Sequence, residues 1–420
     1  MMKIEKKSKY TFKEEISSKD YFKFLKDNNA NFFNTEEYGI LKNSYGATCH
    51  LVGIVDSSEK LISAGLLVFY KSKKIKNLYC PRGPIIDYYN KDLIKTFLDG
   101  VYELAKKLKA DTIDIEPNSI VRRYTSKLDV TSEDDKIIEC FEQNGYKHQG
   151  YTGQIPHFQL RYTVLFDLKK EYEYFFKSYA SDKKKVINRN DKYLKVNIEE
   201  SDSSNLSDIV KFREQLSNKK RFHVEDITYF EKLYALYQEN HQVLFLRAII
   251  DFEITLTSIK QELDKLNVEL TNTKNNRDIE NKINSLEQKK EEITVFRKNH
   301  NNIQKYSLGA GIAIIVNGNM TYLYEHTDKE IGNFGVPTLM TDYLINYGVK
   351  NNLKTLDLLG LINPNYENNP NKSVNNFKMT FGGDIVEYIG VFSKPVSKFY
   401  KVKKTAKRMY YKFNNLIYED

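Results

Sequence analysis

The chain has 420 residues, 40% of them apolar, with 31 Tyr, 24 Phe and no Trp, which excludes a disordered or fibrous polymer and leaves material for two globular cores. Sixty-five basic residues against 56 acidic give a formal charge of +9, which favours nucleic acid, phospholipid or pyrophosphate as partner without selecting among them. Cysteines at 49, 80 and 140 are odd in number and lack CxxC spacing, against a disulfide framework or a zinc site; the longest apolar run, Ala310 to Val316, is far below the roughly 20 residues of a spanning helix.

In chain order, Met1 to Glu15 is mixed charged and polar, which with the missing span predicts a soluble intracellular chain whose free thiols sit in a reducing cytosol. Leu61 to Tyr70 reads as a buried strand, followed by a second ending at Leu78-Tyr79. Tyr79-Cys80-Pro81-Arg82-Gly83-Pro84-Ile85-Ile86-Asp87 then forms a rigid loop, its two prolines fixing φ around an Arg-Gly pair. A helix from about Lys91 to Lys109 and the strand Thr112-Ile113-Asp114-Ile115 follow.

The same order returns in the second half. Leu308 to Val316 pairs through the Asn317-Gly318-Asn319 turn with Met320 to Tyr324, because Asn and Gly accept positive φ; a helix from about Pro337 to Lys350 and the strand Thr355 to Leu359 complete the unit. Two copies of one α/β unit are therefore expected.

Between the halves, Leu256, Ile259, Leu263, Leu266 and Leu270 follow 3-4 spacing, and after the polar turn Thr271 to Asn276 the stripe resumes at Ile279, Ile283, Leu286, Ile293 and Phe296. That predicts an antiparallel coiled-coil hairpin over 248–302, with balanced charge on its solvated faces. The tail differs. Lys394, Lys398, Lys401, Lys403, Lys404, Lys407, Arg408 and Lys412 have no acidic neighbour and alternate with Phe399, Tyr400, Val402, Met409, Tyr410 and Tyr411. An anionic membrane, an RNA backbone and packing onto the first unit all fit this pattern.

Near the C-terminus, Phe377-Lys378-Met379-Thr380-Phe381-Gly382-Gly383 sets one lysine between two aromatics and then a glycine pair, ahead of the strand-like Ile385 to Ile389. A partly desolvated ammonium beside a backbone open to close approach suits the holding of an oxyanion. Lys378 is the first catalytic candidate. No Gly-x-Ser-x-Gly elbow, HExxH motif or Walker loop is present, and Cys49-His50 would point to opposite faces of a strand.

The Tyr79 to Asp87 loop and the Phe377 to Gly383 motif together resemble the Fem (FemABX) family of peptidoglycan interpeptide-bridge aminoacyltransferases, over nearly the whole chain including the helical hairpin. The resemblance implies an α/β (α+β) fold of two GNAT-like domains, with 1–160 plus 390–420 forming the first and 161–389 the second. It implies transfer from aminoacyl-tRNA, without a cofactor or metal, to lipid II or UDP-MurNAc-pentapeptide. It places Lys378 and the flanking Phe377 at the reaction centre, Asp114 near the acceptor amine, and Lys42, in Phe33 to Lys42, at the precursor's phosphates. Arg82, Lys185 and Arg189 of the basic segment Asp182 to Arg189, Lys219 or Arg221, and Phe381 with Gly382 complete the expected binding residues. A cytoplasmic site, peripheral contact with an anionic membrane, and either a monomer or a homodimer are compatible with this reading. An acyl-CoA-dependent N-acyltransferase and a non-enzymatic RNA- or membrane-binding protein are the alternatives. For the first, Gly332-Asn333-Phe334-Gly335-Val336 is a poor approximation to a pyrophosphate turn.

Overall fold

The structure is a computed structural model and describes residues 9–71, 75–125, 127–150, 159–220, 225–272, 277–366 and 372–413, the side chains of 216–220 and 407–413 excepted. Sixteen strands lie among them: β1 (Tyr10–Lys13), β2 (Ala47–Asp56), β3 (Leu61–Lys71), β4 (Lys76–Cys80), β5 (Thr112–Ile115), β6 (Ile120–Tyr124), β7 (Val130–Glu133), β8 (Lys147–His148), β9 (Tyr162–Asp167), β10 (Asn197–Glu200), β11 (Val243–Asp251), β12 (Lys305–Val316), β13 (Asn319–Thr327), β14 (Thr355–Asp357), β15 (Asp384–Tyr388) and β16 (Phe392–Pro395). They form two sheets, ordered β1-β2-β3-β4-β5-β16-β8 and β10-β11-β12-β13-β14-β9-β15-β6-β7. The class is mixed α/β, with two repeated units.

The duplicated order is visible in the pairing. In the first unit β2, β3 and β4 run antiparallel and β5 joins β4 in parallel across the helix Lys91–Lys107. In the second, β11, β12 and β13 run antiparallel and β14 joins β13 in parallel across the helix Val336–Lys350. The β12–β13 turn takes φ of 51° at Asn317 and 81° at Gly318, the left-handed pair that a tight hairpin requires.

Strand alternation explains why the central strands read as unbroken apolar runs. Leu67 and Phe69 of β3 face the helix Lys91–Lys107, with Phe97 and Val101, whereas Leu66 and Val68 face the other way into a second cluster. That cluster also holds Ala310, Ile312 and Ile314 of β12 and Phe245 of β11, together with Phe230 and Tyr237 of the helix Ile227–Gln238. One core is thus built from both units, and both faces of their central strands are dry.

Two boundaries differ from expectation. β6 and β7, within 1–160, pair in the second sheet through β15, whereas β16 returns to the first between β5 and β8. The unit boundary is therefore set by backbone pairing across the interface and not by one cut near residue 160. The hairpin occupies the helices Phe252–Asn272 and Arg277–Asn299, since residues 248–251 finish β11. Arg297 pairs with Glu253 at 2.9 Å and the Phe252 and Phe296 rings lie 5.9 Å apart, so the helices run antiparallel. Ile259, Leu263, Leu286 and Ile293 bury their seam within the cluster that also contains β9 and β14 residues. Among the described residues no helix is long and apolar enough to cross a membrane.

Candidate functional site

Lys378 stands in the last turn of the helix Lys372–Met379. Beyond β14, Leu359 and Gly360 adopt φ of 47° and 63°. Lys378 Nζ donates to the carbonyls of both, to Gly360 at 3.2 Å. Burial lowers the Lys378 pKa below the ordinary lysine value, against the opposing charges of Glu325 and Asp357. Glu325, on β13, is pushed up to about 7 by burial, although Lys378 and the neighbouring Tyr322 hydroxyl act the other way. A half-buried ammonium fixed by two carbonyls and faced by two acids is a preorganised donor.

Asp357 connects this lysine to a cleft of ≈ 280 Å³ between the units, lined by Arg82, Asn118, Asn319, Thr321, Asp357 and Tyr388 among others. Asp357 Oδ1 accepts from Thr163 Oγ1 at 2.5 Å and from the Leu359 amide at 2.8 Å, so the acid also shapes the turn that holds Lys378. Arg82 is buried, with φ of 43° and its guanidinium 3.7 Å from the Tyr388 ring centroid. Its Nη2 donates to the Leu160 carbonyl at 2.7 Å, and Nη1 lies 3.8 Å from Glu116 Oε1. Glu116 also accepts from Tyr79, and burial raises its carboxyl despite the Arg82 charge.

Lys42 forms a separate cationic site. Half-buried on the helix Glu36–Asn43, it lies 5.1 Å over the Tyr38 ring, and burial lowers its pKa against the nearby Glu225 carboxylate. Glu225 pairs with Arg213, whose guanidinium lies 5.3 Å from the Tyr324 ring and 3.4 Å from His326 Nε2. His326 is pushed down to about 4 by burial first and then by the charges of Arg213 and Lys329. Lys42 and Arg213 therefore flank one carboxylate at the join of the units.

Several expected residues stand elsewhere. The ammonium over the aromatic pair is Lys183, 4.5 Å from the Phe377 centroid and 5.7 Å from that of Phe381. Lys378 cannot share that position, because successive helical side chains diverge by about 100°. Phe377 packs partly buried on the core, and Phe381 is 0% exposed against Tyr179. Phe381 thus has no surface to offer a substrate. Gly382 has φ of +76°, and a Cβ there would stand 2.4 Å from Ser178 Cβ, so the glycine serves the turn.

Asp114 stands among a different set of partners. It is buried on β5, accepts from Ser393, and is raised to about 6 by burial, against the pull of Ser393, Asn77 and Lys404. These contacts share no residue with those of Lys378. The second-unit counterpart reaches the lysine instead, since Thr112-Ile113-Asp114-Ile115 returns as Thr355-Leu356-Asp357-Leu358. Lys185 and Arg189 are exposed on the helix Ser181–Arg189. Lys219 lies in the helix Ser207–Lys220 with its side chain outside the described residues, and Arg221 lies outside them altogether.

Glu325, Asp357, Arg213 and Glu225 were not singled out from sequence. The strand repeat carried a signal for Asp357; the others come together from segments with no shared motif. The turn before the helix Val336–Lys350, where an acyl-CoA pyrophosphate would sit, has two of its amide donors engaged. The Gly332 amide is bonded by Glu292 of the hairpin at 2.6 Å, and that of Gly335 by Asn333 Oδ1 at 2.8 Å. A carboxylate in that position repels a phosphate.

A model of the FemAB family matches residues 16–408. Aminoacyltransferase FemA of Staphylococcus epidermidis is 26% identical over 397 residues, covering 88% of this chain and 92% of that protein. Aminoacyltransferase FemA of Staphylococcus aureus (strain MRSA252) is 27% identical over 391 residues, covering 88% and 91%. Among solved structures, FemX shares the fold with a TM-score of 0.74 at 20% identity, over 94% of this chain and 98% of that one.

Proposed function

Because the chain belongs to the FemAB family and is an aminoacyltransferase like the FemA proteins similar to it, we propose that it moves an amino acid from aminoacyl-tRNA to an amine of a peptidoglycan precursor. The acceptor is the stem peptide or growing bridge of lipid II or UDP-MurNAc-pentapeptide, and the reaction runs in the cytoplasm, where charged tRNA is made. The observation that carries this reading is Lys378, with two of its three N–H bonds given to the Leu359 and Gly360 carbonyls. The third is the donor for the oxyanion.

The donor ester is already activated, so alignment and positive charge are the main requirements. The neutral amine attacks the ester carbonyl, a C–N bond forms as the C–O bond to the tRNA ribose breaks, and the amine's proton ends on the ribose oxygen. No covalent enzyme intermediate is needed. Lys42, with Arg213 as a second cation, meets the precursor's phosphates in place of Glu225, whose pairing in the free protein keeps both cations desolvated at tolerable cost. Arg82 and Asp357 border the cleft that takes the acceptor's peptide.

The test mixes purified protein with tRNAs charged with labelled glycine, alanine or serine and with each precursor. Transfer of label to one acceptor is the expected result. Failure of every combination, with the protein folded, would remove the reading.

A further inference from the structure

After β16 the chain is fastened to the first sheet on both sides of the start of the helix Tyr400–Phe413. The amides of Val396 and Ser397 donate to the Asp111 carbonyl at 2.9 and 3.1 Å, Lys403 Nζ lies 2.8 Å from Asp111 Oδ1, and Lys394 Nζ lies 2.9 Å from the Asn144 carbonyl. Tyr400 and Lys404 are half-buried on the inward side. These contacts set which way the first turn faces.

Outward stand Lys398, Phe399, Lys401 and Val402, all exposed. Phe399 is 69% and Val402 66% exposed, the two highest values for large apolar side chains among the described residues. From Lys394 to Lys412 the sequence contains no Asp or Glu. A helix whose only task was to pack on the first unit would turn Phe399 and Val402 inward; here the basic contacts to Asp111 and Asn144 hold them out.

We propose that this face docks on an anionic lipid surface, with Phe399 and Val402 entering the headgroup boundary and Lys398 and Lys401 meeting lipid phosphates. Apolar and basic side chains side by side at the entry and first turn of a helix are the chemistry of an interfacial helix. RNA fits less well, because an aliphatic Val402 offers no ring on which a base stacks. A second copy of the same basic face would be repelled. The inference goes beyond aminoacyl transfer, and its readout is binding without turnover, so its failure leaves the transfer assay untouched.

The full chain is sedimented with vesicles of phosphatidylglycerol mixed with phosphatidylcholine, and with phosphatidylcholine alone. Binding to the anionic vesicles alone is expected, weakening as salt rises. In Lys398→Gln/Lys401→Gln, binding falls roughly fivefold per lysine. In Phe399→Ser/Val402→Ser it falls while the salt dependence persists, and the exposed positions leave the thermal midpoint of both variants unchanged. Absence of anionic-vesicle binding, or its indifference to both variants, overturns the proposal; so does loss of tRNA binding in the variants with vesicle binding intact.

Discussion

At the scale of single residues, the proposed reaction turns on the charge and burial around Lys378. Lys378→Met removes the donor while keeping an unbranched side chain, and the transfer rate in a single-turnover assay is expected to fall about a hundred- to a thousandfold. Glu325 supports the protonated form of that lysine. In Glu325→Gln the lysine therefore loses its proton at lower pH, and the alkaline limb of the pH–rate profile moves down; an unmoved limb would separate the two groups. Asp114 behaves differently. Its folded carboxyl, about 6 against an ordinary 3.8, holds a proton that the unfolded chain releases, so stability is lost as pH rises through that window. Asp114→Asn still accepts from Ser393 without ionising. Its unfolding midpoint should exceed that of the parent above pH 6, the gain should vanish as pH falls toward 4, and transfer should persist.

At the scale of elements, the helical hairpin belongs to the body of the second unit. Ile293 is fully buried in the cluster that contains β9 and β14 residues, and Glu292 and Lys289 reach the loop before the helix Val336–Lys350. Ile293→Ala leaves a cavity costing about 2–5 kcal/mol. Denaturant unfolding should show this as a lower midpoint of the main transition; a separate early transition of the hairpin would contradict the shared core. Heptad spacing made the two helices legible, because a helix shows its buried face in its own sequence. Which side chains then tie them to the sheet was not legible, since a glutamate bonding a distant glycine amide looks like any other surface charge.

At the scale of the whole molecule, two sheets are joined by one apolar cluster and by hydrogen bonds across the join. Thr35 Oγ1 and Tyr237 Oη lie 2.6 Å apart, and Asn319 Nδ2 donates to Asn29 Oδ1 and the Ala30 carbonyl, each at 2.9 Å. The units should therefore melt together. Tyr237→Phe removes one buried bond and is expected to lower a single calorimetric transition by about 0.5–1.5 kcal/mol without splitting it; two resolved transitions would show that the units are independent.

The strand, strand, helix, strand order, its repetition, the hairpin and the family followed from the sequence alone, because strand alternation, helical spacing, turn glycines and linear motifs are written along the chain. Lys378, Lys42 and Arg82 are candidates for the same reason, each standing in such a motif. Only the tertiary structure turned Lys183 and not Lys378 onto the Phe377 and Phe381 rings, set Asp357 rather than Asp114 beside the lysine, and brought Arg213 and Glu225 to Lys42. Helical rotation, strand facing and pairing between distant segments settle those placements, and no local stretch of residues encodes them.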